Sequence, residues 1–436
     1  MSSLWPVVVG VLVVLVGIVV SIALHELGHM VPAKAFGVRV SQYMVGFGPT
    51  LWSRTRGETE YGVKAIPLGG YVRMVGMLPP APPGTRTGRG FFGRVVADAR
   101  EASVEEIRPG EEHRAFYHLS TPKKLVVMLG GPVMNLVLAF VLTAAFFAIG
   151  ITQATPTVAS LSRCVPTATG EPCSPAEAPA PAADAGLEPG DRVVAYAGER
   201  VTTWQSLLDA IDDAGAAPAP VVVERAGQRV ELTVTPVDAT RAVVDADGEP
   251  LRDAGGQVQT VSGPFLGISP TVARQSLPLN EVPAEVGRMF TATAGAVVTF
   301  PAKVWQAAEQ AFTDAPRSAD GVQSIVGVGR TAVDVAGLDA SVLDRVTVML
   351  SLLAALNMAL FVFNLIPLLP LDGGHVVNAL YEGAKRTAAR VRGVRPLPGP
   401  ADVARTMPVA YVMFVVLLGS TVLLVAADVV DPVKIF

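Results

Sequence analysis

His25-Glu26-Leu27-Gly28-His29 places two imidazoles four residues apart, with a carboxylate beside the first. On an α-helix, positions i and i+4 share a face, so both rings can offer a nitrogen to one ion. Glu26 then stands where it can take a proton from a metal-polarised water without binding the metal itself. This is the pattern of metal-assisted hydrolysis. Its setting is an apolar run, Leu4 to Leu24, without a single charge. Ionisable groups at membrane depth are costly and tend to be kept for a purpose. Two of the chain's 5 histidines fall in this motif, which makes coincidence a poor account of it.

A hydrolytic zinc site takes three protein ligands and leaves one position open. The third ligand must come from elsewhere. A second uncharged run starts near Val346 and ends in Asn364-Leu365-Ile366-Pro367-Leu368-Leu369-Pro370-Leu371-Asp372-Gly373-Gly374-His375. Asp372 is the first carboxylate after that run, and the two glycines let the backbone turn tightly beside it. Pro367 and Pro370 oppose a regular helix, and broken helix at membrane depth is tolerated where it lines a cavity. Asp372 is therefore the expected third ligand. The alternative is a helix-ending carboxylate at the water interface. His375 reads as a supporting or structural group, with a fourth ligand as the alternative. His113 and His118 are not expected to ligate.

The elements that position these groups are apolar helices. The chain has 436 residues, 50% of them hydrophobic and 17% charged, with a mean hydropathy of +0.45. Soluble domains carry roughly 25% charged residues. The net charge of −4 argues against a nucleic-acid partner. Four stretches approach the roughly 20 residues that cross a bilayer: Leu4–Leu24, Leu125–Ile149, Val346–Leu369 and Pro408–Ala427. The first lacks the basic start of a signal peptide and runs into the metal motif, so it reads as a retained span. Lys and Arg cluster after the first and third spans, which puts those loops in the cytoplasm and the segment between spans two and three outside. The ends of spans one and three then meet in the same, cytoplasmic, half of the membrane.

H-E-L-G-H in the first span and L-D-G-G after the third, with a G-L-E-P-G-D-R-V segment at Gly186–Val193 between them, resemble the site-2 proteases, most closely the bacterial regulator-of-sigma-E protease branch. The resemblance covers most of the chain. It implies one zinc ion per chain on His25, His29 and Asp372, with Glu26 as the catalytic acid and base. It implies a polytopic α-helical membrane protein of about four transmembrane helices, a small membrane-associated β element, and one extracytoplasmic PDZ-like α/β domain. The expected order is a first helix with the metal motif (1–30), a cytoplasmic loop with β hairpins (31–122), a second helix (123–150) and the PDZ-like domain (151–270). Extracytoplasmic interfacial helices (271–344), a third helix with L-D-G-G-H (345–375), a cytoplasmic loop (376–407) and a fourth helix (408–428) complete it.

The same resemblance implies substrates that are single-span membrane proteins already trimmed by another protease, such as anti-sigma factors, cut in the bacterial inner membrane. Asn135, in Gly131-Pro132-Val133-Met134-Asn135, and Asn364 match family positions thought to meet substrate. Asn135 reads equally as a hydrogen-bonding link between helices. The PDZ-like domain would bind a substrate chain terminus by strand addition. Met77–Glu112 reads mostly as loop, and Ser324–Arg330 as a gate over the site or a surface segment. The only two cysteines, Cys164 and Cys173, lie in the expected extracytoplasmic segment, where a disulfide is favoured. Two other functions use the same residues: a non-catalytic membrane PDZ adaptor and a metal transporter. An adaptor has no need of Glu26, and a transporter needs ionisable groups in spans two and four, which are nearly bare of them.

Overall fold

The computed structural model describes residues 4–81, 90–165, 179–243, 251, 257–311, 327 and 341–430. The chain divides into two compact units, one formed by 1–149 with 277–436 and the other by 150–276.

In the first unit, α1 (Leu4–Ala35) carries the apolar run and the metal motif on one continuous helix. It passes through Pro32 without turning, because proline there removes one helical hydrogen bond close to the helix end. β1 (Val40–Arg56) and β2 (Thr59–Met74) form a curled sheet in which Gln42–Val45 pairs with Glu60–Val63 and also with Gly70–Arg73. Gly46 lies at φ +95°, where a Cβ would meet the Ile66 carbonyl oxygen at 2.8 Å, so the bend requires glycine. Tyr43 ties the sheet to α1 by donating its hydroxyl to the Ala23 carbonyl at 2.6 Å. Burial pushes this phenol up to about 12, so it stays a donor across physiological pH. A helix, α2 (Phe91–Glu105), occupies part of the stretch expected as loop. Its Arg100 reaches Asp402 in an ion pair that sequence spacing does not reveal. α3 (Thr121–Ile149) is the second span.

The second unit is antiparallel β-sheet with short helices. Its elements are β3 (Ile151–Leu161), α4 (Pro181–Asp184), β4 (Arg192–Tyr196), β5 (Glu199–Arg200), α5 (Trp204–Ala214), β6 (Ala219–Arg225) and β7 (Gln228–Val234), followed by β8 (Val237–Ala242), β9 (Thr260–Phe265) and β10 (Ile268–Gln275). The strand order is β10-β3-β4-β6-β7, with β5 on β4 and a separate β8–β9 pair. Val193, Tyr196, Leu207, Ile211, Val221 and Val223 fill the core, each buried apolar side chain contributing about 1.5–3 kcal/mol. Thr203 and Ser206 form a reciprocal cap at the start of α5. β8 and β9 pair antiparallel, Val237 opposite Phe265 and Ala242 opposite Thr260. Cys164 is buried and disulfide-bonded. Cys173 lies outside the described residues, as does most of Ser324–Arg330.

The Gly-Leu-Glu-Pro-Gly-Asp segment of this unit is a clamped turn. Asp191 is 1% exposed and takes two hydrogen bonds from Arg225, both 2.7 Å, plus one from the Glu188 amide at 2.9 Å. The Arg225 guanidinium holds its carboxyl below the usual carboxylate range. A carboxylate whose folded value is depressed adds stability above its unfolded value, and that share is lost as pH falls through the folded value. Asp191→Asn is expected to weaken the unit by roughly 1–2 kcal/mol at neutral pH. Hydrogen exchange of β4 and β6 amides in the full chain should show a wild-type advantage at pH 6 that shrinks below about pH 4.

Back in the first unit, α6 (Val282–Ala311) packs Phe290 and Phe300 against Phe361 and Phe363 of α7 (Val342–Asn364). The 345–375 stretch, expected as a third helix broken at its prolines, divides between two helices. α7 ends at Asn364, and α8 (Asp372–Val391) begins at the aspartate, extending as helix into the expected loop. Pro367 and Pro370 interrupt the helix. The return is close enough that a Cβ on Gly373 would meet the Ile366 carbonyl oxygen at 2.3 Å. α9 (Met407–Val430) is last. Among the described residues, four helical stretches are long and apolar enough to cross a membrane: Leu12–Ala35, Thr121–Ile149, Val342–Asn364 and Val403–Asp428. Their outer faces show exposed Val16, Val137 and Phe414, a surface suited to lipid. Between them, buried Asn357 donates to Ser21 at 2.9 Å, a polar link between α1 and α7.

Candidate metal centre

The first span brings His25 and His29 together one turn apart, with ring centroids 4.9 Å apart and planes crossed at 82°. Their Nε2 atoms lie 3.3 Å apart. Asp372, the first residue of α8, adds Oδ2 at 3.4 Å from His25 Nε2 and 3.3 Å from His29 Nε2. Three donors at these separations form a nearly equilateral triangle. A tetrahedral zinc with bonds of about 2.0–2.1 Å needs donors about 3.3–3.4 Å apart. The residues therefore fit the ion. Asp372 Oδ2 is also buried without a hydrogen-bond partner, so its acceptor capacity is free for a cation.

The groups behind the rings select the ligating nitrogens. His29 Nδ1 lies 2.8 Å from the Val127 carbonyl of α3 and donates to it, which leaves the Nε2 lone pair for a metal. His25 Nδ1 lies 3.0 Å from Nδ2 of the fully buried Asn135 carboxamide, whose O and N exchange places by a half-turn of the amide. For His25 Nε2 to bind metal, Nδ1 must carry the proton, and Asn135 must present its oxygen to it. That oxygen has no other partner. The resemblance left Asn135 supporting the site, meeting substrate or linking helices; here its carboxamide lies against the His25 ring.

Glycines allow the approach of α1 to α3. A Cβ on Gly28 would stand 2.3 Å from the Gly130 carbonyl oxygen, and one on Gly131 would stand 2.2 Å from His29 Nε2. The small residues of both motifs are legible in the sequence. Their contact with the histidine is not, because it depends on how two distant helices cross.

Glu26 is 9% exposed and hydrogen-bonds to the Val72 backbone on β2. Gly70 packs beside it so closely that a Cβ there would be 3.0 Å from Glu26 Cγ. His25, Glu26, His29 and Asp372 share a cleft of about 330 Å³ with Gly70–Val72, Asn364 and His375. Asn364 thus borders the site from the end of α7. His375 borders it without joining the donor triangle, and His113 and His118 take no part in a metal-binding group among the described residues. Two contacts escaped sequence reasoning altogether. The edge of β2 reaches Glu26, and Lys124 of α3 forms a buried pair with Glu382 of α8 at 2.7 Å. Lys124 had signalled only orientation.

The sequence profile of Peptidase family M50 matches residues 13–395. The chain is similar to the zinc metalloprotease Rip1 of Mycobacterium tuberculosis (strain ATCC 25618 / H37Rv), at 32% identity over 98% of this chain and 99% of that one. Rip1 of Mycolicibacterium smegmatis is 32% identical over the same shares. A putative zinc metalloprotease of Xylella fastidiosa (strain Temecula1 / ATCC 700964) is 31% identical over 47% of this chain and 35% of its own. By the span of the profile and the near-complete length of these alignments, the chain belongs to Peptidase family M50 and is a zinc metalloprotease of the site-2 type.

Proposed function

We propose that this protease cuts within the transmembrane segments of single-span membrane proteins that another protease has already shortened, anti-sigma factors being the implied class. The observation that carries the reading is the donor triangle opening, with Glu26, into a cleft built on membrane-spanning helices. His25, His29 and Asp372 would hold the zinc, which supplies the Lewis acidity that makes water a nucleophile near neutral pH. Glu26 takes a proton from the attacking water and returns it to the departing amide nitrogen. Its near-complete burial keeps bulk water from competing for that proton.

A helical substrate hides its amides in its own hydrogen bonds and must unwind to be cut. The Gly70–Val72 edge beside Glu26 can pair with an extended backbone. The Asn364 carboxamide can take up amide groups exposed by unwinding, which would otherwise go unsatisfied at membrane depth. Asn135 serves the site through His25. The cytoplasmic side then holds the ends of spans one and three, in a bacterial inner membrane. The second unit is the PDZ-like domain, extracytoplasmic, admitting substrates by the size of their outer part or by their new terminus.

The test uses the full chain in vesicles with a labelled single-span protein in intact and trimmed forms, its fragments mapped by mass spectrometry. The trimmed form is expected to be cut inside its apolar segment and the intact form to resist. Cuts confined to residues outside that segment would overturn the proposal.

A further inference from the structure

A second cavity, of about 780 Å³, opens away from the metal centre, where the chain enters two of its spans. Tyr117 and His118 line it just ahead of α3, Tyr381 and Lys385 from α8, and Arg405 just ahead of α9. Its electrostatics are one-sided. Asp402 pairs with Arg100 and with Arg405. Glu382 pairs with Lys124 and with Arg386, each at 2.7 Å. Lys385 has no ionic partner among the described residues. Five cations thus gather around two carboxylates, an excess of three, with Lys124 and Arg100 nearly buried. The buried Lys124 and Arg100 are matched by carboxylates, so the excess falls on exposed Lys385 and Arg405 at the cavity, where it attracts an anion.

The depth of the cavity points to the source of that anion. Phe91 and Phe92 of α2 are exposed and pack edge-on against Tyr411 at the start of α9. Aromatic groups of this kind sit at headgroup level. We propose that the cavity binds the phosphate-bearing headgroup of an anionic phospholipid, with Lys385 and Arg405 on the phosphate and the Tyr381 hydroxyl available as a hydrogen-bond donor. α8 carries Asp372 at its first residue and Lys385 further along, so a bound lipid holds the helix that supplies a metal ligand. The proposal is independent of the protein substrate.

The test is native mass spectrometry of the full chain in neutral detergent, titrated with short-chain phosphatidylglycerol, short-chain phosphatidylcholine or inorganic phosphate. One phosphatidylglycerol should remain bound where phosphatidylcholine does not. Lys385→Gln should weaken it roughly fivefold, and Lys385→Glu by more. Arg392→Gln, at the C-terminal cap of the same helix but off the cavity, should leave it unchanged. Phosphatidylglycerol retained equally by the Lys385→Glu chain, or not retained at all, would overturn the site. Displacement by an equal concentration of inorganic phosphate would overturn the lipid as its occupant.

Discussion

Glu26→Gln is expected to leave the chain holding about one zinc while slowing cleavage by roughly 10²–10⁴-fold, the usual worth of a positioned general acid or base. The two halves of this result have separate causes. The three donors belong to His25, His29 and Asp372, and none is lost when Glu26 becomes its amide. The amide has the same shape, so the close fit against Gly70 survives. What it lacks is a site for the proton. Metal content by atomic emission and single-turnover cleavage of the trimmed substrate check both halves. Zinc retained with wild-type cleavage would remove Glu26 from the chemistry. His25→Ala, by contrast, should lose metal and activity together.

Gly131→Ala should cost zinc affinity by at least about a hundredfold, the upper range for disturbing the groups that orient ligands. The added methyl would lie 2.2 Å from His29 Nε2 and 2.8 Å from His25 Cε1. The His29 ring cannot simply swing aside, because its other nitrogen is bonded to the Val127 carbonyl. Either that bond breaks or α1 and α3 part, and parting them also disturbs Asn135 on His25. The control is Gly419→Ala in α9, where a Cβ meets nothing within 4 Å. It should be neutral or slightly stabilising, since alanine suits a helix better than glycine. Dialysis against graded chelator, with circular dichroism to confirm helix content, separates the two. Equal zinc retention by both variants would show that the α1–α3 crossing has slack at the metal.

The metal ligands were legible because their chemistry is local. His25 and His29 need only a helix, and Asp372 stands out as the first carboxylate after a long apolar run. The spans were legible from composition, with edges that moved by several residues. The helix in Phe91–Glu105 was not, since it follows a Pro- and Gly-rich stretch and is anchored by the distant Arg100–Asp402 pair. Nor was the role of Asn135. A buried amide announces that it needs a partner, but only the crossing of α1 and α3 decides that the partner is a histidine ring. The third helix was assigned through 375, with a break expected at Pro367 and Pro370. The prolines that break it were visible, yet the tight return that makes Asp372 the start of a new helix required the fold.

His29 and Asp372 stand 343 residues apart in the chain (372 − 29). Ribosomes add about 5–20 residues each second, so tens of seconds separate the making of the histidine pair from the making of the aspartate. Throughout that interval the nascent protein has its proton carrier and two of its three donors, but an incomplete seat for the ion. It is unarmed while it threads into the membrane among other unfinished chains, whose unpacked segments would be easy prey. The enzyme can become a cutting tool only after Asp372 has been made.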